Sequence, residues 1–146
     1  MNSYEILKNK HQAEINAFPM AFAFSSKQFE EAMLSLGLKP SDTDKIYKFG
    51  NTGGFYRKSD TKQLHDMLDR HECERKDAIA ADKIGDGYIF EMFLYELYNH
   101  EFAYTYDAEP ALAALDITFE DIENDERLAH GFQKAKAQIL KDSEDE

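Results

Sequence analysis

The stretch FLYELYNHEFAYTYD, residues 93–107, surrounds Glu96, Asn99, His100 and Glu101 with aromatic side chains. At about 100° per residue a helix places positions four apart on one flank, so Glu96 and His100 can touch. A carboxylate and an imidazole so spaced offer two ligands to zinc or manganese, or an acid/base pair. His65 or His71, from the preceding helical segment, would complete the set for a metal-dependent hydrolase. The spacings that specify metal sites, H-E-x-x-H or paired C-x-x-C, are absent. A buried polar group without a partner costs ~1–3 kcal/mol, so Glu96 and His100 are expected to satisfy one another or a tyrosine hydroxyl. No catalytic residue, metal or cofactor is therefore expected, and the set His65, His71, Glu96 and His100 stands as the alternative. The single cysteine, Cys73, sits in RHECERKD without a second thiol and reads as a bystander on a charged helix.

Arg57, Lys58 and Lys62 form the one compact basic cluster, where an anion or an acidic partner could dock. The adjoining FGNTGGFYRKS lacks the G-x-x-x-x-G-K-[ST] spacing of a phosphate loop, and its glycines join two apolar runs, as in a β-hairpin. Tyr88, Tyr95, Tyr98, Tyr104 and Tyr106 read as core edges with their hydroxyls turned to water.

The net charge of −12 is unevenly placed. Residues 1–80 hold 12 acids and 12 bases, whereas residues 81–146 hold 17 acids against five bases. A surface of that sign repels phosphate backbones and steers basic partners over about 10 Å at moderate salt. LDITFEDIENDERL has helix-turn-helix length but the wrong charge for a major groove. Glu109, Asp116, Glu120, Asp121, Glu123, Asp125 and Glu126 are the expected partner-binding residues, facing a basic protein surface; neither nucleic acid nor membrane is expected as a direct partner.

The elements that must position these groups follow from periodicity. Residues 3–17 carry Tyr4, Leu7, His11 and Ile15 at helical spacing, FPMAFAF alternates like a strand, and Ser25 with Gln28 begins a second helix that Gly37 stops. Ile46 to Phe49 and Phe55 to Lys58 form the hairpin, and Ser59 or Asp60 caps a helix reaching about Ala81. YIFEMFLYELYNHE, apolar nearly all round, is the expected central helix, with Phe90, Phe93, Leu94 and Leu97 deepest. Short capped helices follow. At 146 residues with 42% hydrophobic content, one domain over residues 1–141 is expected, with 142–146 a disordered acidic tail. The class is α+β: about three antiparallel strands covered by five to seven helices, the C-terminal half helical. The amphipathic N-terminus lacks a signal peptide's apolar run, and lone-cysteine usage suits a reducing cytoplasm.

FPMAFAFS, GGFYRKSD and YELYNHEF, in that order over about two thirds of the chain, resemble an uncharacterised family of small acidic proteins associated with bacteriophages and mobile elements of gut bacteria. The resemblance implies a setting in which such proteins act by binding and blocking host proteins. It carries over no activity and no functional residue.

Overall fold

The computed structural model describes residues 2–144. Its elements are α1 (Ser3–Ala17), β1 (Met20–Phe22), α2 (Ser26–Ser35), β2 (Ile46–Phe49), β3 (Gly54–Arg57), α3 (Thr61–Ala81), α4 (Tyr88–Asn99), α5 (Phe102–Thr105), α6 (Glu109–Leu115), α7 (Phe119–Glu123) and α8 (Glu126–Glu144). The class is α+β with a three-stranded antiparallel sheet and a helical C-terminal half. Eight α-helices among the described residues exceed the expected five to seven, because Glu101 takes a left-handed φ of 60° that ends α4's run and lets Phe102 start a separate turn. The chain divides into two compact units, residues 11–72 and a second joining the residues up to Lys10 to those from Cys73 onward. α1 and α3 contribute to both.

In the unit of residues 11–72 the strand order is β1-β3-β2. Ala21 lies opposite Phe55, and both pack with Ala32, Met33 and Leu36 of α2 and its end. Ser25 caps α2 by accepting from the Gln28 N–H at 3.2 Å, while the Gln28 side chain accepts from Phe24 N–H at 2.8 Å, one residue earlier than a capping box would have it. β1 itself spans only Met20–Phe22 of the expected run, Ala23 N–H still donates to the Gly53 carbonyl at 3.1 Å, and Phe24 has left the sheet for the cap of α2. The hairpin turn uses left-handed Gly50 and Gly53.

In the other unit α4 is the centre, packed along α8. Its buried residues are Ile89, Met92, Phe93, Glu96 and Leu97, a rotation from the expected face, with Phe90 and Leu94 only half-buried. A helix apolar on every side carries no periodicity to fix its deepest face, and the close approach of α8 decides it. Gly131 makes that approach possible: a Cβ there would lie 2.7 Å from Ile89 Cγ2 and 2.8 Å from the Gly85 carbonyl. Leu112, Ile122, Leu128, Phe132, Ala135 and Ile139 complete the core. The turn before α4 is tied by Asp82, whose carboxylate accepts from the N–H groups of Gly85, Gly87 and Ile89 at 2.9–3.0 Å.

α8 continues through Glu144, three residues into the expected tail, and Asp142 accepts from the Tyr98 hydroxyl and from Gln138. Residues 145–146 lie outside the described residues. No helix among the described residues is long and apolar enough to cross a membrane.

Candidate functional site

Glu96 is 1% exposed, and a carboxylate so placed requires a cation or several donors. Its partner is Lys8, whose Nζ donates to Oε1 at 3.1 Å from 88 positions away in sequence. The same ammonium lies 5.0 Å from the Tyr95 ring and 5.8 Å from that of Tyr4. Tyr4 in turn contacts Tyr88 edge-on at 5.8 Å and Tyr95 at 5.5 Å. Burial, and then the Glu96 charge, hold the Tyr4 hydroxyl well above the usual phenol range, and burial pushes Tyr88 up to about 12. These phenols therefore keep their protons at neutral pH. His100 closes α4, its backbone N–H donating to the Glu96 carbonyl at 3.0 Å. The expected side-chain pairing of Glu96 with His100 is thus replaced by Lys8, which sequence reasoning missed. The one signal available was Lys8 standing four residues after Tyr4 on α1.

His71 is 2% exposed in the other unit, stacked on buried His11 with ring centroids 3.9 Å apart. Its Nε2 lies 3.0 Å from Glu14 Oε2, and Glu14 also receives the Arg70 guanidinium. His65 is exposed on α3. Among the described residues, no group of three or more His, Cys, Asp or Glu side chains could hold a metal ion.

The hydrogen bond from Arg70, followed by that from His71, pulls the Glu14 carboxyl from 4.5 down to about 2. The unfolded chain therefore binds the extra proton between those values, so the stabilisation is complete above about 4.5 and lost as pH falls toward 2. Glu14→Gln is expected to be less stable than wild type at neutral pH, with the gap closing through that window. Urea midpoints measured across it check this; a gap independent of pH contradicts it.

The expected anion-binding cations are engaged within the chain. Arg57 Nε donates to Asp60 at 2.8 Å and Nη1 to the Leu36 carbonyl at 3.2 Å. Lys58 sits 4.9 Å from the Tyr47 ring, and Lys62 pairs with Asp66 at 2.7 Å. Asp60 is buried and accepts from Arg57, in a single 3-10 turn that leads directly into α3.

Of the seven expected partner-binding acids, three have local roles. Thr118 and Asp121 form a reciprocal capping box on α7. Asp125 accepts from the Arg127 N–H at 2.9 Å and pairs with its guanidinium at 2.9 Å, and Asp116 takes the left-handed conformation closing α6. Glu109, Glu120, Glu123 and Glu126 are exposed. No lysine or arginine occurs between Lys83 and Arg127. Glu109, Leu112, Ala113 and Asp116 recur at helical spacing, so two carboxylates bracket an apolar strip. That strip, with Ile117 and Phe119, lines a surface groove of about 340 Å³. Phe119 is 47% exposed, its ring edge-on to Phe132. These apolar residues were not singled out from sequence.

The chain belongs to a family of unknown function (DUF7659), whose model matches residues 3–138. No curated protein and no solved structure matches the chain.

Proposed function

We propose that the protein is a noncatalytic, cytoplasmic binding module whose acidic α6–α8 segment engages a basic protein surface, acting as a phage or mobile-element inhibitor that occupies a host protein's nucleic-acid-binding site. The observation that carries this is the groove bracketed by Glu109 and Asp116, in a segment with nine acids and no lysine or arginine over residues 101–126. Carboxylates in that setting attract cations at a distance, while Leu112, Ile117 and Phe119 offer the apolar contact that gives a bound complex its lifetime. The same field repels phosphates, which makes mimicry of nucleic acid the consistent role and direct binding of it the inconsistent one.

A labelled peptide alternating lysine and leucine, titrated into the full chain, tests this. Affinity is expected to fall more than about tenfold between low and high salt, and to fall again in Ala113→Arg, which places a cation in the groove from an exposed helical position. Affinity indifferent to both changes overturns the proposal.

A further inference from the structure

A second groove, of about 360 Å³, is lined by Asn2 and Glu5 at the start of α1 and by Leu94, Tyr95, Tyr98 and Asn99 near the end of α4. Its walls are fixed. Asn2 Oδ1 accepts from the Glu5 N–H at 3.1 Å, capping α1, and Asn2 Nδ2 donates to the Glu91 carbonyl at 2.9 Å. Ser3 donates to the Glu91 carboxylate, and the Tyr98 hydroxyl donates to Asp142. These bonds tie the start of α1 to α4 and hold one tyrosine wall in place.

Tyr95 already accepts a cation, since Lys8 Nζ lies 5.0 Å from its ring centroid. The groove adds Tyr98, 48% exposed, and the carboxylate of Glu5, with which no cation pairs among the described residues. Asn99 supplies an exposed amide.

We propose that this groove binds the side chain of one arginine presented by a partner protein. A planar guanidinium can lie against a tyrosine ring and direct a fork of N–H donors at a carboxylate and an amide oxygen, while its methylenes cover Leu94. A lysine ammonium can do the first less well and lacks the fork. The site rests on the reading of this protein as a binder of basic partners for its biological sense, but its chemistry stands on residues outside the α6–α7 groove.

The test is an amide chemical-shift titration of the full chain with N-acetyl-arginine amide, and in parallel with the citrulline analogue, which has nearly the same shape and no charge. Arginine is expected to shift Glu5, Tyr95, Tyr98 and Asn99 saturably, with citrulline roughly fivefold or more weaker. Glu5→Gln is expected to weaken arginine by a similar factor. Asn99→Lys, at an exposed position, is expected to fill the groove and abolish the response while the rest of the spectrum is unchanged. Equal binding of citrulline, shifts confined to the α6–α8 acids, or an arginine response indifferent to both variants overturns the site. Loss of salt-dependent peptide binding with the arginine response intact overturns the α6–α8 proposal alone, and the converse result overturns this groove alone.

Discussion

Lys8→Met is expected to destabilise the protein by about 2–4 kcal/mol, because it leaves the Glu96 carboxylate buried near Tyr4 without its counter-ion. Breaking a fully buried pair costs ~3–5 kcal/mol, and the lower figure here reflects a Lys8 side chain that is 43% exposed. In a domain of this length the loss corresponds to a drop of roughly 5–12 °C in Tm. Water cannot readily replace the ammonium at a residue only 1% exposed. The double variant Lys8→Met, Glu96→Leu should regain most of the loss, since an apolar pair of similar volume removes both charges. Urea unfolding of the single and double variants measures this. A Lys8→Met protein within about 0.5 kcal/mol of wild type would mean that Glu96 does not depend on Lys8.

The second large effect is expected at Gly85. It holds a φ of +92°, and a Cβ there would run into the Arg127 carbonyl group, 3.1 Å from its carbon and closer still to its oxygen. Arg127 cannot easily retreat, because its Nη1 donates to the Ile79 and Asp82 carbonyls at 3.0 Å each, joining the end of α3 to the start of α8. Left-handed strain of ~1–2 kcal/mol and overpacking of ~1–3 kcal/mol together give about 3 kcal/mol or more for Gly85→Ala. Gly37 supplies the control, with a φ of +75° and open space around the position of its missing Cβ. Gly37→Ala should show the conformational strain alone, about 1 kcal/mol. If the two substitutions cost the same in urea unfolding, the close approach at Gly85 is not limiting.

Local chemistry explains which parts of this fold were legible. Ser25 and Thr118 announce helix starts because a hydroxyl reaching a backbone N–H three residues on is a local event, and both bonds are present at 3.1–3.2 Å. The hairpin was readable for a similar reason: glycines between Phe49 and Phe55 supply, without a Cβ penalty, the positive φ that the turn takes at Gly50 and Gly53. Long-range pairings left no such mark. Lys8 and Glu96, or Glu14 with Arg70 and His71, meet only after distant helices pack, and a carboxylate four residues from a histidine looked self-sufficient. The division at Lys10 and Glu72 was invisible because α1 and α3 run unbroken through it. The asymmetry of charge was fully present in composition, but the groove beside it was not, since Ala113, Ile117 and Phe119 gain meaning only once α6 and α7 stand next to each other.

The central claim is that exposed carboxylates on α6–α8 hold a basic protein. Quantitative affinity capture from host cells, with wild type and the variant Glu109→Gln, Glu120→Gln, Glu123→Gln, Glu126→Gln as parallel baits, tests it most directly. All four positions are exposed, so the fold is expected to survive, and circular dichroism confirms that before capture. The account predicts a basic partner enriched on wild type, reduced at least about tenfold on the variant, and released by raised salt or by competing nucleic acid. A partner retained equally on both baits and unmoved by salt would contradict it.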